Sequence, residues 1–450
     1  MDYNIYAKDS ALDYFRRDLY ACFHRAGDAL MNTNDALLCD VNAHSFIELS
    51  LSPFFVRGWS SLYAGLHDAV IDRTQLQRLF AKHITPPAPG QRLVLGVDAS
   101  SIARPLSPTA RDRTFVHAVN LPEGSKPVTP GWQYSTLCVL PLKPSSWTYI
   151  LDNQRVPSEG TQATVASAQL ASLVPMLPKD SSPSLLPLLL GDGYYGSATF
   201  LNQTKEIPCD KLLRLAKNRT LYRPAPPRTH KKGAPKKDGS LFACGQPQTH
   251  GTPDQQWSGQ DERDKPVEVA CWQNLHFKAA REQTVTVLRV NRPHAAESKR
   301  DPKVSWFVFC GQTCPPLCEV PTIYRLRYSL EHSFRVDKQN LFWATPHLRA
   351  PESFDHWTNL VASVRNQLYL ARPLVQASRN PWESRHRAVT PQQVRRGCGS
   401  IISQLGTLAS LPQVRGKSPG RIQGAVMTKA ARYPVVYKAT TKAKKAEHLV

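Results

Sequence analysis

Along the first 88 residues, apolar positions return every three or four residues. The pattern covers Ala11–Ala26 and Ser60–His83, where Leu62, Leu66, Val70, Ile71 and Leu76 recur, and it predicts amphipathic helices. Thr74–Lys82 would suit one helix of a helix-turn-helix reader, but an ordinary packing helix asks less of the same residues. Pro86, Pro87, Pro89 and Gly90 then break the chain and mark a linker.

Beyond the linker the apolar runs shorten. Arg92–Ser101, Gln133–Leu142, Trp147–Leu151, Leu185–Gly191 and Lys211–Leu215 predict strands. A small-residue helix over Thr161–Val174 precedes the fourth strand, and a short helix around Ser197–Gln203 precedes the fifth. The first and fourth strands are expected to end on acids, Asp98 and Asp192. Each alone is weak evidence, since aspartate at a strand end commonly forms a turn. Asp192 stands between Gly191 and Gly193, which let backbone and ligand approach closely. Val267–Trp272, Thr284–Val290 and Val304–Cys310 alternate in strand fashion, and two helices follow, Tyr324–Lys338 and Ala350–Arg372.

The Tyr324–Lys338 helix carries a charged stripe. At about 100° per residue, Tyr324, Arg327, Glu331, Arg335 and Lys338 fall within roughly 80° of one another. Leu326, Leu330, Phe334 and Leu341 form the adjoining face to bury. The stripe reads either as a solvated row of ion pairs or as a carboxylate set among phosphate-binding groups. Arg335 fits both readings, because Asp337 is an alternative partner.

Charge narrows the choice. The 450 residues carry a formal +22 with a pI near 9.7, which points to a polyanion, nucleic acid before membrane. No run of 18 apolar residues predicts a spanning helix, and the N-terminus lacks a secretory pattern. Ten Lys/Arg and no acid fall between Lys211 and Lys237, including Lys231, Lys232, Lys236 and Lys237, and this run is expected to contact DNA backbone. Nine Lys/Arg lie between Arg415 and Val450, expected to form a flexible phosphate-binding arm. Cys310, Cys314 and Cys318 are spaced too widely for a zinc knuckle, so free thiols in a reducing compartment are expected.

Tyr324, Arg327, Glu331 and Lys338, separated by two, three and six residues, resemble the Tyr-Arg-Glu-Lys signature of insertion-sequence transposases with an Asp-Asp-Glu active site. The resemblance covers about residues 93–372. It implies an α/β fold of RNase H-like type: a mixed sheet flanked by helices, with a β-rich insertion before the catalytic helix. The division that follows is 1–88, a helical N-terminal region and candidate reader of DNA ends; 89–219 and 321–380, the two parts of the core; 220–320, the basic, β-rich insertion; and 381–450, a basic flexible tail. The resemblance further implies Asp98, Asp192 and Glu331 as catalytic residues and ligands of Mg²⁺ or Mn²⁺, as two ions, with Tyr324, Arg327 and Lys338 on DNA. It implies a tryptophan of the insertion (Trp257, Trp272 or Trp306) that stacks on a flipped base. The implied partners are terminal inverted repeats and target DNA, held by a dimer in a prokaryotic cytoplasm at the nucleoid. The alternatives are an RNase H-like nuclease without strand transfer and a non-catalytic DNA-binding derivative.

Overall fold

The computed structural model of the chain describes residues 8–118, 127–178, 185–227, 234–262, 264–293, 295, 302–375, 379–384, 386–413, 420, 422–426 and 428–438. The N-terminal stretch forms α1 (Ala11–Ala21), β1 (Phe23–Arg25), α2 (Gly27–Cys39), α3 (Ser60–Asp68), β2 (Val70–Ile71) and α4 (Arg73–Lys82). The helix expected over Ser60–His83 is thus two helices. Val70 and Ile71 leave the helical path to pair antiparallel with Phe23–Arg25, and Asp72 caps α4 through its side chain.

The central elements are β3 (Val94–Ala103), β4 (Thr114–His117), β5 (Val128–Val139), β6 (Tyr149–Val156), α5 (Gln162–Leu173), β7 (Leu188–Gly191), α6 (Ala198–Gln203) and β8 (Asp210–Leu215). They are followed by β9 (Thr220–Tyr222), β10 (Leu241–Ala243), β11 (Gln255–Gln260), β12 (Pro266–Phe277), β13 (Ala280–Asn291) and β14 (Val304–Cys310). The chain closes with α7 (Val320–Arg325), α8 (Tyr328–Gln339), α9 (Pro351–Ala371) and α10 (Pro391–Leu405). Among the described residues, β3 to β14 make one mixed sheet in the order β10-β9-β12-β13-β14-β8-β7-β3-β5-β4, with β6 beside β5 and β11 beside β12. The RNase H-like α/β architecture expected from the strand order is the one observed. The insertion does not stand apart: β14 pairs antiparallel with β8, so its strands prolong the central sheet.

Side-chain alternation along β5 sets the layers. Neighbouring residues of a strand point to opposite faces, and Tyr134 hydrogen-bonds Asp355 of α9 while Ser135 hydrogen-bonds Gln169 of α5. Helix α9 therefore covers one face and α5 the other. Asn366 of α9 also reaches the outer edge of β6, accepting from the Ile150 N–H and donating to its carbonyl, which occupies that edge at Ile150.

Helices α1, α2 and α3 pack on α9, and α4 packs on β6. Arg16 of α1 is buried between Asp35 of α2 and Gln367 of α9. The Thr74–Lys82 segment is accordingly a packing helix, burying Leu76, Leu79 and Phe80. The range read as a flexible tail contains α10, which packs on α2 and α9 and buries Val394, Cys398, Ile401 and Ile402. Further on, Val436 hydrogen-bonds Arg113 beside β4. Arg415, Lys417, Arg421, Lys442, Lys444 and Lys445 lie outside the described residues. No helix among those described is long and apolar enough to cross a membrane.

Candidate active site

Asp98 and Asp192 meet because their strands are parallel neighbours. Val97 pairs with Gly191, so each aspartate is the next residue in register. Beyond that point the strands part. Strand β7 ends at Gly191, whereas β3 continues beside β5 as far as Ala103. The strand expected to end on Asp98 therefore runs five residues further, and the crevice opens where parallel pairing stops. Such a crevice outside the carboxyl ends of strands is where open α/β sheets bind ligands.

Helix α8 lies over the same place. Gly96 and Asp98 are two apart on β3 and share a face. A Cβ on Gly96 would come within 2.9 Å of Leu330 and 2.8 Å of Leu140, so the glycine is what allows α8 to lie this close. Glu331 follows Leu330 and is thereby delivered above Asp98. The helix expected over Tyr324–Lys338 is tightened in the middle: the N–H groups of Leu326, Arg327, Ser329 and Leu330 each reach the carbonyl three residues back. This 3₁₀-like turn joins α7 to α8 without Gly or Pro to signal it.

Arg327 sits at that turn and links two of the acids. Its guanidinium donates to Asp98 Oδ2 at 2.8 Å and to Glu331 Oε1 at 2.9 Å, and it is 12% exposed. Burial pushes the Asp98 carboxyl up to about 6; Arg327 opposes the shift, and the charges of Asp192 and Glu331 add to it. Glu331 is 52% exposed. Asp192 Oδ1 accepts the Tyr194 N–H in the turn that follows β7.

The remaining predicted site residues divide by environment. Tyr324, expected on DNA, is buried against Phe307 and donates its hydroxyl to the Gly191 carbonyl at 3.1 Å. It anchors the helix to the strand that carries Asp192. Lys338, also expected on DNA, donates to the Ser101 carbonyl at 2.8 Å and holds the far half of β3. Arg335 is exposed, and Asp337 is buried with Arg365 as its partner at 3.1 Å, not Arg335. Lys236 and Lys237 are exposed at the surface, while Lys231 and Lys232 lie outside the described residues. Of the tryptophans considered for stacking, Trp272 and Trp306 are buried and Trp257 is partly so.

The donor set is all carboxylate, which suits hard cations such as Mg²⁺ or Mn²⁺. Among the described residues no three acid, His or Cys side chains are gathered closely enough to hold a metal ion as they stand. Arg327 bridges Asp98 and Glu331, donating to both. As a donor set the three carboxylates suit a divalent ion, and Glu331 is the exposed one.

The family model described as DDE superfamily endonuclease matches residues 18–276 of the chain. No curated protein matches it. The matched span begins within α1, so it reaches across the N-terminal helices as well as Asp98 and Asp192, and it ends within β12, before Glu331.

Proposed function

The chain belongs to the DDE superfamily endonucleases, and from that premise we propose that it is a DNA transposase. In this reading it cuts the ends of an insertion sequence and joins them to target DNA by phosphoryl transfer. The observation that carries the reading is the register neighbourhood of Asp98 and Asp192 beneath Glu331 at the mouth of the crevice.

Asp98, Asp192 and Glu331 are the residues that would hold divalent metal, as two Mg²⁺ or Mn²⁺ ions. Bound there, the ions supply activation of a water or DNA 3′-hydroxyl and stabilisation of the leaving oxygen. The family's general use of divalent metal agrees with this chemistry. Arg327 balances two carboxylates, and its fork suits a phosphate equally well. Tyr324 and Lys338 act by positioning, the first on β7 and the second on β3. Handling two element ends calls for two copies on DNA, in the nucleoid of a prokaryotic cell.

The test is incubation with Mg²⁺ and linear DNA carrying the element's terminal repeats. End-specific nicks with joined products are expected. Nicks without joining identify a nuclease, and binding without either identifies a non-catalytic DNA-binding protein. Glu331→Gln should abolish cleavage and leave DNA binding within a few-fold; normal cutting by this variant rules out the assigned centre.

A further inference from the structure

The carboxyl edge of the sheet carries a second concavity beside the acids. Strand β8 runs parallel to β7 with Leu213 opposite Gly191, so Arg214 is the next register position beside Asp192. From there a cleft of about 820 Å³ opens along the insertion. Arg214 and Lys217 bound it at the end of β8, Arg289 and Asn291 at the end of β13, and Lys303 and Trp306 at the start of β14. These ends coincide because Trp306 pairs with Leu215 and Val304 with Asn291.

Four cations line the cleft, Arg214, Lys217, Arg289 and Lys303, and no lining residue is an acid. None of the four is paired with a carboxylate among the described residues, and the Nε of Arg289 is buried without any hydrogen-bond acceptor. A basic run along one segment is usually a solvated face. Here the cations converge from the ends of three strands, so the charge is gathered into a concavity that an anionic chain can enter.

We infer that this cleft seats one DNA strand, as single strand, immediately beside the phosphate being cut. The inference rests on reading Asp98, Asp192 and Glu331 as the cutting centre. The cleft has the size of a small-ligand pocket, which runs to about 300–1,000 Å³. It takes one or two nucleotides and shuts out a duplex. Trp306 and Trp272 are packed with Phe242 in an aromatic cluster, so the cleft grips phosphates and offers no open face for stacking. The duplex must therefore open at the cut for its strand to enter.

Fluorescence anisotropy in EDTA tests this without any catalysis, using a labelled oligothymidylate of about eight nucleotides, within the span such grooves bind, and a duplex of the same length. Lys217 and Lys303 are exposed, so Lys217→Ala/Lys303→Ala leaves the fold intact. Loss of two phosphate contacts should weaken single-strand binding about tenfold and flatten its salt slope by about 1.4, at roughly 0.7 per contact. Duplex binding should change less than about twofold. Arg289→Lys, which keeps charge but loses the guanidinium, should also weaken the oligothymidylate. Absent single-strand binding by the parent protein, or equal losses for single strand and duplex in Lys217→Ala/Lys303→Ala, overturns the inference. Failure of Glu331→Gln to stop cleavage overturns the cutting centre instead, and the two results are read independently.

Discussion

Two neighbouring stretches of one sheet edge handle charge in opposite ways. Between β3 and β7, Arg327 ties Asp98 to Glu331 within the protein. Between β8 and β13, four cations line a cleft with no acid among them. Burial accounts for the difference. Asp98 is largely removed from water, where an unmatched charge is expensive, and the Arg327 guanidinium matches it. Lys217 and Lys303 are exposed, so water suffices until a polyanion displaces it. The first stretch carries its counter-charge within the protein, and the second leaves its cations without an acid.

The comparison is most exposed to loss of the acid at its centre. Asp98→Asn should lower cleavage on the order of 10³-fold, by removing charge that holds the catalytic cations. Duplex binding in EDTA should stay within about twofold, since the basic surface is untouched. Cleavage and anisotropy measured on the same preparation check both halves. Persistent cutting would reduce Asp98 to a structural acid held by Arg327.

Removing the guanidinium separates its two roles. Arg327→Ala should slow cleavage about 10²-fold through loss of a charge aimed at phosphate. The same change leaves Asp98 and Glu331 without a counter-charge, so Mn²⁺ should bind several-fold tighter by calorimetry. Weaker Mn²⁺ binding would mean that Arg327 orders the acids more than it neutralises them.

What could be read along the chain follows from the range of the interactions. Period and apolar runs located β3, β5, β6, α5, β7, α6 and β8 in the right order, because each buries its own residues. The end of β3 was not legible: Ser100 to Ala103 stay extended by pairing with Tyr134 to Gly131, 28 to 34 residues away. The turn between α7 and α8 has no breaker to mark it. The stripe on α8 placed Arg327 near Glu331, four residues on, but its bond to Asp98 spans 229 positions and no local pattern encodes it. Helix α10 is different, since Val394, Cys398, Ile401 and Ile402 already repeat at helical spacing after a Thr390 cap with Gln393 three residues on. The basic character of the surrounding segment masked a readable signal. The cleft cations were only half visible: Arg214 and Lys217 belong to the basic run, while Arg289 and Lys303 join them through strand pairing alone.

The distance between α8 and β3 is a smaller lever on the same centre. Gly96→Ala would drive a methyl into Leu140 and Leu330, both buried. Overpacking of this kind should cost about 1–3 kcal/mol in urea denaturation. Because Glu331 adjoins Leu330, cleavage should fall further than the stability change alone explains at a temperature where the variant is fully folded. An unchanged rate would show that the site closes independently of how α8 packs.

Tyr324 gives the mildest and most specific probe, because Tyr324→Phe deletes one oxygen and leaves the ring against Phe307. The lost hydrogen bond to the Gly191 carbonyl should cost about 1 kcal/mol of stability. Gly191 is the last paired residue before Asp192, so the change loosens the acid's backbone without touching its charge. The expected signature is a modest fall in kcat, with KM for DNA and single-strand binding by the cleft both unchanged. A rise in KM with kcat preserved would instead make the hydroxyl a DNA contact and require that Tyr324 leave its buried position. The outcome separates a tyrosine that aligns the acidic stretch of the edge from one that belongs, with the cations, to the surface that meets DNA.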